Sequence, residues 1–126
     1  MPTSEPLARF RDRLTLPLIA APMFLVSGVD LVVAACRDGV IGSFPTVNCR
    51  SPEQLDAWLG DMRAQLRRAA DDTGRTAAPI CPNLIVHRSN ARLEQDLQVL
   101  LRHAPEIVIT SVGSPAPVLA PLHEAG

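Results

Sequence analysis

Several things are scarce in this sequence of 126 residues. It has no tyrosine, and aromatic residues make up only 3% of it. A stacking platform for single-stranded nucleic acid needs aromatic rings, so that class is disfavoured. Net charge is −1, with acids and bases interspersed, so there is no basic stripe for a phosphate backbone and no polybasic tail for lipid. No apolar run approaches the roughly 20 residues that span a bilayer. The first 14 residues carry charges where a secretion signal would have its apolar stretch. The three cysteines, Cys36, Cys49 and Cys81, are odd in number and far apart, which argues against a disulfide framework or a zinc site. Reduced thiols in a cytoplasmic protein are the reading that fits.

What is present is a globular composition, 47% hydrophobic and 20% charged, of single-domain size. Residues 1–14 read as an N-terminal extension with a short helix near Pro6–Leu14. Short apolar runs then alternate with longer amphipathic ones. Leu16 to Ala21 reads as a strand buried on both faces and ended by Pro22. Ser27 is placed to cap a helix whose apolar face is Val29, Val32, Val33 and Cys36, with Gly39 as its stop. Val40 to Phe44 is a second strand. Ser51-Pro52-Glu53-Gln54 carries a capping box with proline at the first helical position, and Leu55, Trp58, Leu59, Met62 and Leu66 form one stripe. That helix fades at the breaker cluster Asp71 to Gly74.

Ile80 to Val86 is a third strand, interrupted by Pro82, and a helix follows from about Ser89 to His103. Glu106 to Thr110 is a fourth strand, rich in β-branched residues. Ser114-Pro115 opens a last helix carrying Val118, Leu119 and Leu122. The order β-α-β-α-β-α-β-α predicts an α/β fold with parallel strands. Periodicity leaves two architectures open: a doubly wound sheet, or the first four units of a (β/α)8 barrel.

In either case chemistry concentrates where strands end. Neither GxGxxG nor GxxxxGK[ST] occurs. Met23, just past Ala21-Pro22, either plugs the top of the fold or lays a polarisable side chain on a flat ring. Asn83, inside an apolar run, either ties down backbone or faces a ligand. Gly113-Ser114 is a simple helix cap or an anion site. His103 and His123 fall at helix ends and suit structural roles. His87 follows the third strand but has no carboxylate partner in sequence, and nothing near Cys49 or Cys81 would activate a thiol.

Four segments, in order, resemble the nitronate monooxygenase (2-nitropropane dioxygenase) family. Leu18-Ile19-Ala20-Ala21-Pro22-Met23 is similar to its first-strand I-x-A-P-M signature. Ser51-Pro52-Glu53-Gln54-Leu55 matches its S-P-E-x-L segment, and Pro82-Asn83-Leu84-Ile85-Val86 resembles its V-N-L strand. Ile107 to Ser111, with Gly113 and Pro115, resembles its fourth strand and turn. The resemblance covers about residues 14 to 126. It implies a truncated TIM barrel, noncovalent FMN, and oxidation of alkyl nitronates with O2. It implies that Ala21, Pro22 and Met23 line the flavin, that Asn83 hydrogen-bonds it, and that Thr110 and Ser111 lie close by. Gly42 to Thr46 departs from the glycine-rich run of many members, which puts substrate scope in doubt. The family's catalytic histidine follows a fifth strand and its phosphate loops follow the sixth and seventh, in a barrel of about 250 residues. The expectation is therefore an N-terminal half, inactive alone, that leaves its first and fourth strands as unpaired edges open to self-association. A noncatalytic half-barrel, or another FMN barrel enzyme such as an enoyl reductase sharing the A-P-M opening, are the alternatives.

Overall fold

A computed structural model describes residues 8–126. The strands are β1 (Ile19–Ala20), β2 (Ile41–Pro45), β3 (Ile80–Ile85) and β4 (Ile109–Ser111), and the helices are α1 (Val29–Arg37), α2 (Pro52–Thr73), α3 (Leu93–His103) and α4 (Ala116–Glu124). The strands are all parallel and lie side by side in chain order, β1-β2-β3-β4, as a curled half-barrel. That order bears on the choice left open by periodicity and fits a partial β/α barrel. A doubly wound sheet reverses direction at a switch point; this one does not. Right-handed crossovers that always step the same way keep every helix on one face.

The helical face is where the core lies. Phe44 of β2 and Leu84 of β3 pack with Val32, Val33 and Cys36 of α1, Leu55, Leu59 and Met62 of α2, Leu97 and Leu100 of α3, and Val118 of α4. Gly42 makes the α1 contact possible. A Cβ there would stand 2.6 Å from the Val32 carbonyl oxygen and 3.0 Å from Cys36 Sγ, so the helix can sit this close only over glycine.

The α2 signals act as expected. Ser51 Oγ accepts from the Gln54 N–H at 3.1 Å, and Gln54 Oε1 accepts in return from the Arg50 N–H at 2.6 Å. The helix runs on through Asp71 and Asp72 and closes at Gly74, which takes the left-handed conformation (φ 70°).

Four boundaries differ from the sequence expectation, each for a physical reason. The first strand keeps only Ile19 and Ala20 in the ladder and is not buried on both faces: Leu16, Leu18 and Ile19 are exposed because β1 is an edge. Ser27 does not cap α1; Gly28 occupies that position, and the Ser27 hydroxyl is already engaged by the Met23 N–H at 2.8 Å. Helix α3 starts at Leu93 rather than Ser89, because Asn90 spends its amide on turns, donating to the Ile85 carbonyl at 2.8 Å and accepting from the Arg92 N–H at 3.1 Å. Strand β4 is Ile109–Ser111, set by its register Asn83↔Ile109 and Ile85↔Ser111. Pro82 does not interrupt β3; it stands one residue before the ladder to β4 begins.

The N-terminal ends of the strands are closed by a 3-10 helix, Ala8–Arg13, where a short helix near Pro6–Leu14 is expected; Pro6 and Leu7 lie outside the described residues. Phe10 is buried there. Arg13 donates to the Ala77 carbonyl before β3 at 2.8 Å and pairs with Glu106 before β4 at 2.9 Å. The Thr15 N–H donates to the Gly39 carbonyl before β2 at 2.9 Å. Gly39 has φ 82°, and a Cβ on it would meet Thr15 Oγ1 at 2.2 Å and Thr15 N at 2.7 Å. Gly39→Ala should therefore lose about 2 kcal/mol or more, from left-handed strain and clash together. Gly60, inside α2 with nothing within 4 Å of a Cβ, should gain about 0.5–1 kcal/mol as Gly60→Ala. Urea denaturation midpoints of the two variants check both signs.

Candidate functional site

With the N-terminal ends sealed, the opposite ends of the strands and the helix-free face remain for function. The segment after β1 is built as a rigid exposed turn. The Val26 and Ser27 N–H groups both donate to the Met23 carbonyl, at 3.2 and 3.0 Å. Asn48, from the turn after β2, clamps the segment from outside: its Nδ2 donates to the Met23 carbonyl at 3.0 Å and to the Ser27 carbonyl at 2.8 Å, while its Oδ1 accepts from the Leu25 N–H at 2.9 Å. Three of the amide's bonds thus go to one turn, and Leu25 is held at φ 63°, a strained region for a leucine. The clamp is itself held. Arg92 at the start of α3 donates to the Cys49 carbonyl at 2.6 Å and to both carboxylate oxygens of the fully buried Asp96, at 2.9 and 3.1 Å. The result is a stiff backbone that presents Met23, Phe24, Leu25 and Val26 to solvent.

Asn83 and Ser111 project from β3 and β4 onto the helix-free face. Leu84 between them in register belongs to the core, and side chains alternate along a strand. Asn83 Nδ2 donates to Ser111 Oγ at 3.2 Å, and Ser111 Oγ donates back to Asn83 Oδ1 at 3.1 Å. An asparagine amide has two N–H donors and two lone pairs, so this reciprocal pair uses half of what it offers. Asn83 makes no other side-chain bond among the described residues, although it is only 6% exposed. Ser43 lies on the same face, in register with Cys81. Its buried hydroxyl lies close enough to the Cys81 thiol to favour the thiolate, yet has no aligned hydrogen-bond partner among the described residues.

The expected site residues thus fall into two groups. Asn83 and Ser111 are bonded to each other on the helix-free face. Ala21 and Met23 are exposed and Pro22 half-buried, on the segment leading into the Asn48-clamped turn. Thr110 is not with either group: in register with Leu84, it faces α4 and lines a cavity with Val118 and Leu119. Asn48 and Ser43 were not singled out by the sequence. Asn48 follows a strand within a polar stretch, and that was its only signal.

The remaining candidates have local roles. Ser114 Oγ accepts from the Ala116 N–H at 3.3 Å, a turn contact at the α4 start, beside Gly113 at φ 147°. His87 Nδ1 bonds the neighbouring Ser89 hydroxyl at 2.7 Å. His103 Nε2 meets Asp56 Oδ1 at 2.8 Å and holds that exposed carboxyl below its usual range. Among the described residues, no group of three or more His, Cys, Asp or Glu could hold a metal ion. No helix there is long and apolar enough to cross a membrane.

Neither a scan against protein-family models nor a search of curated proteins finds a match to this chain.

Two tests follow from the site. Asn48→Ala removes the clamp and leaves the Leu25 N–H and two carbonyls short of a partner. It should cost about 1–3 kcal/mol and abolish amide-exchange protection at Leu25 while sparing α2. The cysteines give the second. Burial pushes Cys36 up to about 11 and Cys49 and Cys81 up to about 12, so none is an activated nucleophile. Iodoacetamide at pH 8 should label all three only after unfolding. Their folded-state values lie above the ordinary 9.0, so the neutral thiols contribute their full stability below pH 9 and lose it as pH rises toward 11 and 12. Urea midpoints should fall across that range.

Proposed function

We propose that this chain forms the first half of a TIM-type (β/α)8 barrel and one wall of an FMN site, in an enzyme oxidising alkyl nitronates with O2. One observation supports it above the others. The helix-free face carries a buried amide, Asn83, paired with Ser111 and with a donor and an acceptor to spare among the described residues. Such a group costs free energy unless something completes its bonds, and a flavin ring edge offers both donors and acceptors. The residues fit this group except for Thr110, which lies on the other face.

In this reading Asn83, oriented by Ser111, holds the ring edge. Ala21-Pro22-Met23 lays backbone and a thioether against the ring, and the Asn48 clamp fixes that segment before the cofactor arrives, which lowers the ordering cost of binding. Bound FMN would supply the electron transfer between nitronate and oxygen; the chain supplies position and hydrogen bonds. The three buried, unpaired thiols fit a reducing cytoplasm.

FMN titrated into the full chain, followed by quenching of flavin fluorescence, is the test. Binding should saturate, and Ser111→Ala, which frees Asn83 from its partner, should weaken it about tenfold, a loss of about 1.4 kcal/mol. The absence of any quenching up to about 1 mM FMN would sink the proposal.

A further inference from the structure

The chain has 12 arginines and no lysine. Five of the arginines line two adjoining cavities at the N-terminal ends of the strands. The larger, about 350 Å³, lies between α2 and the segments that lead into β3 and β4, and its cationic residues are Arg13, Arg63 and Arg67. The smaller, about 140 Å³, shares Arg13, Thr76 and Ala77 with it and adds Arg37 and Arg75. Of the 13 acidic residues only Glu106 lines either cavity. The net charge of the whole chain is −1, so this cationic excess is a local arrangement rather than the average composition.

Arg13 is already committed. Its guanidinium reaches both Glu106 carboxylate oxygens at 2.9 Å and the Ala77 carbonyl at 2.8 Å, which uses up the one acid. Arg63 donates once, to the His103 carbonyl. The side chain of Arg67, one turn further along α2, makes no hydrogen bond or ion pair among the described residues. An arginine carries five N–H donors in a fixed fork and keeps its charge. Two forks one helical turn apart thus line one cavity with most of their donors unspent, and like charges at that spacing repel. Burial is the main cause that holds the Arg63 guanidinium below its usual range; the Arg67 charge adds to it and Glu106 opposes it. Behind the charges the wall is apolar, with Leu59 and Leu66 buried beneath the half-buried Arg63 and the exposed Arg67. An apolar lining with a few convergent polar groups is the usual make-up of a small-ligand site.

We propose that this cavity binds a small phosphate monoester, its phosphate held by Arg63 and Arg67 and its apolar body set against Leu59 and Leu66. The choice of phosphate follows from the number of free donors. A carboxylate has one charge and two oxygens, and a single arginine satisfies it, as Arg13 satisfies Glu106. A phosphate monoester has close to two charges and three acceptor oxygens, which matches two guanidiniums. Bound there, it replaces the repulsion between the two arginines with attraction and stabilises the folded chain by mass action. The site lies at the ends of the strands opposite to the Asn48-clamped turn and takes nothing from the outer edges of β1 and β4. It therefore stands whether or not FMN binds at the other end.

Phenyl phosphate, inorganic phosphate and benzoate, each titrated into the isotope-labelled full chain at about pH 8 and constant ionic strength, test it through amide and arginine side-chain chemical shifts. Phenyl phosphate should shift residues 63–70 and 76–80 saturably, with a dissociation constant of about 1 mM or below. Inorganic phosphate, which lacks the apolar body, and benzoate, which lacks the second charge, should each bind about tenfold more weakly. Arg67→Gln should raise the constant for phenyl phosphate at least about fivefold. Arg68→Gln, the same charge change at the next exposed position but outside both cavities, should leave it within about twofold. Shifts that stay linear up to about 50 mM phenyl phosphate overturn the proposal. So does benzoate or inorganic phosphate binding as tightly as phenyl phosphate, and so does equal weakening by the two variants.

Discussion

Everything in this structure depends on one constraint: parallel strands laid down in chain order, each crossover stepping the same way. That constraint puts α1 to α4 on a single face of the sheet. Every residue of β2, a central strand, is buried. The constraint also requires the first helix to approach the second strand closely, which is why Gly42 cannot be larger. The other face is then left to polar groups, Ser43, Asn83 and Ser111, that no helix covers. A buried hydroxyl without an aligned partner and a half-satisfied amide are costly in a core but useful facing a ligand.

The two ends of the strands are treated differently, and the difference separates stability from function. At the N-terminal ends, long-range bonds from Arg13 and Thr15 reach the segments before β2, β3 and β4, and Phe10 is buried among them. At the C-terminal ends the polar bonds instead hold an exposed apolar turn in a strained shape. Asn48 bonds the turn, and the Arg92–Asp96 pair holds the segment that carries Asn48. Leu25 and Val112, both exposed and both at positive φ, stand on the two outermost of these ends. Strain of this kind persists only where surrounding bonds over-determine it.

The elements were legible in the sequence to the extent that local chemistry sets them. The α2 capping box, its proline and its leucine stripe specify that helix without help from the rest of the chain. The alternation of elements gives parallel strands but not their order, because order is a matter of which edge each strand joins. The exposure of β1 is not legible for the same reason: Leu16 to Ala21 has the composition of a buried strand, and only its having one neighbour makes it an edge. Ser27 has the chemistry of a helix cap, but a competing N–H four residues back takes its oxygen. Of the site, Asn83 stood out as an amide in an apolar run. Ser43 and Asn48 did not, since their importance comes from partners far away in the chain. The resemblance places Thr110 and Ser111 together, and the pleat sends them to opposite faces.

The apolar run of β1 therefore carries two demands at once. Its composition suits a strand flanked on both sides, and its register gives it one neighbour, Ile41-Gly42 of β2. Proline is one of the residues that blunt a strand edge, and Pro17 stands here between Leu16 and Leu18. Around it Leu16, Leu18 and Ile19 are exposed, and a cavity lies beside β4 and α4 at the far edge. The mismatch between what β1 is made of and what surrounds it is the same mismatch seen at Asn83 and Ser43. In both places, groups lack among the described residues the contacts that their chemistry favours.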